Sequence, residues 1–524
     1  MKTAAAKIVE PGYPWEKSYP AGIMWDIAPQ RAPVWQILEQ AAQAYKNRTA
    51  IDFEGSRISY AELNALAAKI ATGLHALGVT RGIKVGLFLP NTPHLIAFHY
   101  GTLRAGGTVV NYNPLYAERE LRNQIEDSET DYLVTLDTPA LLEKAKAVLA
   151  STRLKNLIVC PAGAAAAPHE YIAYDTLIAN DGRFEPGAID PDNDIAVLQY
   201  TGGTTGTPKG AMLTHTNLYT NTLQIARWHA PAARPGQEKI VCVLPLFHVF
   251  AMTVMMNMAL HLGMEIIVLS KFDPATFIPL MLEKKPGFLP SVPAIYNAIL
   301  MQPQSAATDF SFMKFCLSGG APLPNEVKRG FEQRTGATVG EAYGQTETSP
   351  VVTCNPLIPA SIKTGSVGVP IPGTIVEIIS TEDGRTVLPP GAPGEVCVRG
   401  PQVMKGYYNK PEETAQVIRN GRLHTGDVGY LDEDGYLFLV DRLKDMVIVR
   451  GYKVYPRQIE EAIYLHPTVG ECIVAGVPDA ERGETVWAWI KTKDGAALTG
   501  DELNAFLADK LSPIEIPRKY IIRD

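Results

Sequence analysis

The chain has 524 residues, 46% of them apolar and 20% charged. That is room for roughly three or four compact units, and it excludes a disordered chain, which pairs few apolar residues with a large net charge. Against 55 acidic side chains stand 48 basic ones, a net charge of −7, so the basic surplus that advertises a nucleic-acid partner is missing.

The N-terminal stretch Met1-Lys2-Thr3-Ala4-Ala5-Ala6-Lys7 runs into Glu10-Pro11-Gly12 without an apolar core, so no secretory signal is expected. Ser59-Tyr60-Ala61-Glu62 has capping-box spacing and opens an amphipathic run with Leu63, Leu66, Ile70 and Leu74 on one face. Gly78 is placed to stop that helix. Residues 83–89 read as a buried strand, 92–104 as a helix, 108–110 as a strand, 118–126 as a helix and 132–136 as a strand. This alternation predicts βα units on a largely parallel sheet. Residues 162–168 read as a small-residue surface loop without chemistry. A second α/β pattern starts at Ile195 and runs to Tyr343. Within it, 241–269 is strongly apolar, but Pro245, His248, Asn257, His261, Gly263 and Glu265 interrupt it. It therefore reads as strand, loop, core helix and strand rather than a membrane span. After Val351 short β-rich runs, 373–379 and 394–399, alternate with Pro/Gly turns and suggest a small barrel or meander. Past Arg442 a helix at 456–465 and strands at 472–477 and 485–491 form a further α/β stretch. The boundary is placed at Asp441–Lys444. The fold expected is α/β: a large unit 1–441, made of α/β subdomains at about 1–190 and 191–350 and a barrel-like 351–441, and a small unit 442–524. Cys160, Cys242, Cys316, Cys354, Cys397 and Cys472 form no C-x-x-C pair, which predicts buried thiols in a reducing, cytoplasmic compartment.

Three stretches carry chemistry. Tyr200-Thr201-Gly202-Gly203-Thr204-Thr205-Gly206-Thr207-Pro208-Lys209-Gly210 follows a predicted strand. Its glycines free backbone N–H groups, its threonines add hydroxyls and Lys209 adds a cation, a set suited to a polyphosphate. It is not a Walker A loop, because Gly210 follows the lysine. A plain Gly/Thr hairpin is the alternative, which so restricted a composition disfavours. Tyr343-Gly344-Gln345-Thr346-Glu347, after Gly340-Glu341-Ala342, brings together an aromatic face, a hydroxyl and a carboxylate. These suit base stacking, a phosphate oxygen and Mg²⁺. Alone this stretch is weak, as is the glycine turn Ser318-Gly319-Gly320-Ala321-Pro322. Finally, Leu423-His424-Thr425-Gly426-Asp427 and Val440-Asp441-Arg442-Leu443-Lys444-Asp445 offer Asp427 to ribose hydroxyls and Arg442 to the sugar or a phosphate. A surface turn and a solvated charge cluster explain these equally well in isolation.

In this order and at these separations the stretches resemble the adenylate-forming superfamily of acyl-CoA synthetases, peptide-synthetase adenylation domains and firefly-type luciferases. The resemblance covers essentially the whole chain. Asn111-Tyr112-Asn113-Pro114-Leu115-Tyr116, Gly210-Ala211-Met212-Leu213-Thr214-His215 and Gly400-Pro401-Gln402-Val403-Met404-Lys405-Gly406-Tyr407-Tyr408 make it most similar to bacterial long-chain fatty-acid–CoA ligases. Tyr13-Pro14-Trp15-Glu16-Lys17-Ser18-Tyr19-Pro20 is similar to members that activate fatty or dicarboxylic acids. The resemblance implies two half-reactions, with ATP, Mg²⁺ and coenzyme A. A carboxylate first gives an acyl-adenylate and pyrophosphate, and the thiol of coenzyme A then gives a thioester and AMP.

The resemblance also implies residue roles. Thr201, Gly202, Gly203, Thr204, Thr205, Gly206 and Lys209 would hold the β- and γ-phosphates. Thr346 would touch the α-phosphate, and Glu347 would bind the metal. Gly320, Ala321, Pro322 and Tyr343 would surround the adenine, with Tyr343 stacked on it, and Glu341, Ala342 and Gly344 would belong to the same cofactor-binding set. Asp427 would hold the ribose, helped by Arg442. His248 matches the position guarding the carboxylate, with a hydrogen-bonded core histidine as the alternative. Lys444 matches the hinge about which the small domain rotates, with a surface ion pair to Asp441 or Asp445 as the alternative. Lys453 would face the pantetheine arm after rotation. Relatives carry a further lysine in a Pro-Lys-(four residues)-Gly-Lys stretch near the C-terminus. The chain stops at Asp524, before that stretch, so the small domain is expected to be truncated and adenylation slow without the tail. Met252, Val254, Met255, Met256 and residues 292–295 would line an acyl tunnel or simply pack a core. Medium- to long-chain fatty acids, medium-chain diacids, non-CoA adenylation and a nucleotide sensor remain the competing functions. No nucleic acid and no integral membrane segment are expected. Peripheral lipid contact stays open, and so does the oligomeric state.

Overall fold

The computed structural model describes residues 12–163, 170–201, 208–449, 452–479, 482–493 and 496–523. The helix Tyr60–Ala76 starts on a capping box. The Glu62 N–H donates to the Ser59 hydroxyl at 3.2 Å, and the Ser59 N–H donates to the Glu62 carboxylate at 2.8 Å. Gly78, at φ +89°, turns the chain out of that helix. Thr92 caps Pro93–Arg104 through the Leu95 N–H. Between these helices the strands are buried from end to end, as Tyr132–Leu136 is, because helices cover both faces of the sheet.

Among the described residues two large sheets form the body. Seven strands between Lys84 and Thr214 make the first, and all its neighbours run parallel except the hairpin Ile195–Thr201/Lys209–Thr214. Nine strands make the second. The sheets exchange chain segments across residue 190, where the sequence reading divided the subdomains. The hairpin 195–214 closes the first sheet, and the early hairpin Thr49–Phe53/Ser56–Ser59 joins the second, with Thr49–Phe53 parallel to Glu265–Val268. A hairpin needs only a short turn, so it can extend whichever sheet edge it meets. Residues 375–442 form a five-stranded antiparallel sheet.

The apolar stretch 241–269 resolves into the end of strand Lys239–Cys242, a fully buried π-helical run Ala251–Met258 and strand Glu265–Val268. No helix among the described residues is long and apolar enough to cross a membrane. One hydrophobic core runs from Trp15 to Leu437, and a separate one from Val447 to Leu507. All six cysteines are buried free thiols.

Candidate active site

The carboxyl ends of strands from both large sheets face the barrel-like sheet across a cleft of about 510 Å³. Open α/β sheets place ligands at such strand ends. The first sheet contributes Thr201, at the end of Ile195–Thr201, and Lys209, at the start of Lys209–Thr214. The second contributes Gly319 and Gly320 beyond Phe315–Ser318, and Ala342 to Glu347 at and beyond the end of Val339–Gly344. Thr425, Gly426 and Arg442 close the third side. An adjoining cavity of about 600 Å³ is lined by Ala321, Pro322, Asp427 and Lys444, and Gly320, Ala342, Tyr343, Gly344 and Arg442 wall both spaces. Gly344 is sterically required: a Cβ there would lie 1.9 Å from the Pro350 carbonyl oxygen.

At one end the Asp427 carboxylate is fixed from three sides. One oxygen accepts from the Tyr343 hydroxyl at 2.6 Å and the Gln345 amide at 2.8 Å, and the other lies 3.2 Å from Nε of Arg442. Burial pushes the Asp427 pKa up, opposed by these donors. Glu395 braces the turn carrying this aspartate. Its carboxylate meets Nδ1 of His424 at 2.7 Å and accepts from the Gly426 N–H at 3.3 Å. Cys397 lies 3.3 Å from the same imidazole nitrogen.

At the other end Glu347 Oε1 accepts from the Tyr407 hydroxyl at 2.6 Å. Among the described residues its second oxygen has no partner, and it shares the cleft with the Thr201 hydroxyl and the Lys209 ammonium. A free carboxylate oxygen suits Mg²⁺, a hard cation that takes one or two carboxylates and fills its remaining positions with phosphate and water. His248, beyond strand Lys239–Cys242 of the second sheet, also lines the cleft. Its imidazole is exposed to the cleft, yet the crowding walls lower its pKa by desolvation. The Phe250 N–H donates to its Nδ1 at 3.3 Å, which places the proton of the neutral ring on Nε2.

The structure thus brings Thr201, Lys209, His248, Gly320, Ala342, Tyr343, Gly344, Thr346, Glu347 and Arg442 to one cleft, with Ala321, Pro322, Asp427 and Lys444 in the adjoining space. Gly202, Gly203, Thr204, Thr205 and Gly206 lie outside the described residues. Two expected binding residues are placed elsewhere. The Glu341 carboxyl lines neither cavity; it turns beneath the strand toward buried Lys328, whose ammonium at 3.7 Å offers a charge partner. Lys453 lines neither cavity, because its hairpin, Val447–Val449 with Tyr452–Val454, sets its ammonium on the Thr381 hydroxyl at 3.0 Å. Lys444 reaches only Asp445, at 3.8 Å. Sequence reasoning missed Gln345, Glu395, His424 and Tyr407 as site residues. Tyr407 acts on a residue 60 positions away, and no local pattern encodes that contact.

The family described as AMP-binding enzyme matches residues 38–408, and the AMP-binding enzyme C-terminal domain matches residues 458–524. The chain is 41% identical to the long-chain-fatty-acid–CoA ligase of Bacillus subtilis, over 97% of this chain and 94% of that one. It is 34% identical to the ligase of the same name from Escherichia coli, with the same coverage. Among solved structures, ATP-bound MatB from Rhodopseudomonas palustris matches with a TM-score of 0.87 at 32% identity, over 94% of this chain and 95% of that one. The apo form of the same protein matches at 0.79. With family matches along most of its length and such relatives across nearly all of it, the chain belongs to the AMP-binding enzyme family, the adenylate-forming superfamily its motifs resemble.

Proposed function

We propose that this adenylate-forming ligase converts a medium- to long-chain fatty acid to its CoA thioester in two steps. The carboxylate oxygen forms a bond to the α-phosphorus of ATP while the bond to pyrophosphate breaks. The sulfur of coenzyme A then attacks the acyl carbon, AMP leaves with the bonding pair, and the thiol proton passes to solvent. The observation that carries this reading is that Lys209, Glu347 and His248 line one cleft, with the braced Asp427 in the space that adjoins it. Lys209 sets a cation against the outer phosphates, and Asp427 accepts from the ribose hydroxyls. The Nε2–H of neutral His248 donates to the incoming carboxylate and orients it. Glu347 would hold the magnesium ion, which neutralises phosphate charge when bound. No residue needs to act as a covalent nucleophile, so catalysis is positioning and charge stabilisation.

The wall behind His248 favours a fatty acid over a diacid. The run Ala251–Met258 is apolar except for Thr253 and Asn257. Thr253 donates to the Ser349 carbonyl at 2.7 Å, and Asn257 accepts from the Tyr100 hydroxyl at 2.7 Å. A second carboxylate would find no cation on that run, and an uncompensated buried charge is costly. Long-chain-fatty-acid–CoA ligases among the relatives agree with this choice.

The test is a panel of mono- and dicarboxylic acids of rising length. Acid-dependent pyrophosphate release and CoA-dependent AMP formation are measured together. Medium and long monoacids should give both, and diacids little of either. Pyrophosphate without CoA-dependent AMP would point to adenylation for another acceptor. ATP binding without acid-dependent pyrophosphate would point to a nucleotide sensor.

A further inference from the structure

Lys209 and Glu347 carry opposite charges into the same end of the cleft, yet among the described residues no ion pair joins them. Both instead meet Tyr407. Its hydroxyl donates to Glu347 Oε1 at 2.6 Å, and the Lys209 ammonium lies over its ring, 5.3 Å from the centroid. The ring is buried and its backbone is pinned from both sides. The Met212 N–H donates to the Gly406 carbonyl, the Tyr408 N–H to the Gly210 carbonyl, and the Met404 N–H to the Glu347 carbonyl. The Tyr407 N–H itself donates to the Thr414 hydroxyl at 2.8 Å. The 404–408 segment is thus laced onto the strand that begins with Lys209, with an isolated bridge from Tyr407 to Ala211, and onto the turn that carries Glu347.

We propose that Tyr407 is a positioning residue that holds the phosphate-binding lysine and the metal-binding carboxylate apart in the empty site. It occupies one oxygen of Glu347 and offers its ring face to Lys209. One carboxylate oxygen is thereby left directed at Mg²⁺, and the ammonium is left unpaired for phosphate. Without the tyrosine the two charges would neutralise each other. Each substrate group would then have to break that pair before binding. This rests on the function proposed above for the cleft, but it concerns nucleotide and metal binding rather than acyl transfer.

The two contacts separate by substitution. Tyr407→Phe keeps the ring and loses the hydroxyl; Tyr407→Leu loses both. ATP affinity is measured by calorimetry on the whole chain without acid, once with Mg²⁺ and once with EDTA. In Tyr407→Phe the gain in affinity from Mg²⁺ should shrink about tenfold, the scale for losing a group that orients a metal ligand, with the EDTA value unchanged. In Tyr407→Leu the EDTA value should also weaken, by roughly tenfold, as Lys209 loses its ring and turns to Glu347. Adding Glu347→Gln to Tyr407→Leu should restore the EDTA value to that of Glu347→Gln alone, because the ammonium then has nothing to collapse onto. A merely structural tyrosine would not give that rescue. An unchanged Mg²⁺ gain in Tyr407→Phe, or no rescue in the double variant, overturns the proposal. If the parent chain binds no ATP, the functional reading of the cleft falls and this inference with it. If the parent binds and the variants match it, this inference falls alone.

Discussion

Glu341 shows how a residue inside a candidate nucleotide-binding motif can have its side chain committed to a buried charge pair. The motif reading put it in the cofactor-binding set; its carboxyl is buried against Lys328, with Oε1 and the Lys328 ammonium both lacking hydrogen-bond partners. Burial pushes its pKa up to about 7, with Lys328 and Arg457 opposing and Glu461 adding to the rise. The folded protein therefore holds this proton more tightly than the unfolded chain. Stability from this group is fully present below the unfolded value and is lost as pH rises through about 7. Thermal melting followed across this window should show a falling midpoint in the parent and a flatter profile in Glu341→Gln. Equal slopes in both would reject the assignment. That Lys209, Glu347 and Asp427 come together around adjoining cavities was readable in advance, because the proposed phosphate, metal and ribose roles each demand a narrow choice of side chain. Tyr407 was not, because a phenol buried in a glycine-rich turn looks like any other packed aromatic until its distant partner is known.

Among elements, what was local was legible. The Ser59/Glu62 cap and the stop at Gly78 depend on neighbours within a few positions, and that helix begins and ends as those residues indicate. In the small unit, the helix expected at 456–465 is found as Pro456–Tyr464. The strand expected at 472–477 is longer, Val469–Asp479, because its ladder with Gly483–Thr492 continues past the apolar run that announced it. Sheet membership was not legible, since the pairing of Thr49–Phe53 with Glu265–Val268 spans nearly half the large unit. Nor was the widened turn of Ala251–Met258, whose apolar composition suits an α-helix as well as a π-helix. Periodicity reports which side of an element is buried; it carries no record of which distant edge that element will meet.

For the whole molecule the decisive feature is the division into two hydrophobic cores with residues 438–446 between them. Among the described residues few polar contacts cross the division, one of them the bond from Lys453 to the Thr381 hydroxyl. Arg457 donates to the Leu439 carbonyl at 3.1 Å and, through its N–H, to Asp441 at 3.1 Å; Asn325 reaches Glu461 at 3.3 Å. An interface so lightly tied suits a body that docks in more than one way. Lys444→Ala should therefore slow one half-reaction more than the other. Pyrophosphate exchange would be compared with thioester formation from preformed acyl-adenylate, and equal slowing would remove Lys444 from the hinge. The buried thiols add a consequence of their own. Cys472 belongs to the small core, and the other five lie in the large unit. An alkylating reagent can reach Cys472 only when the small body melts, because swinging as a rigid piece leaves its interior sealed. The order in which the six sulfurs take up label is therefore a built-in clock that tells a turning domain from an unravelling one.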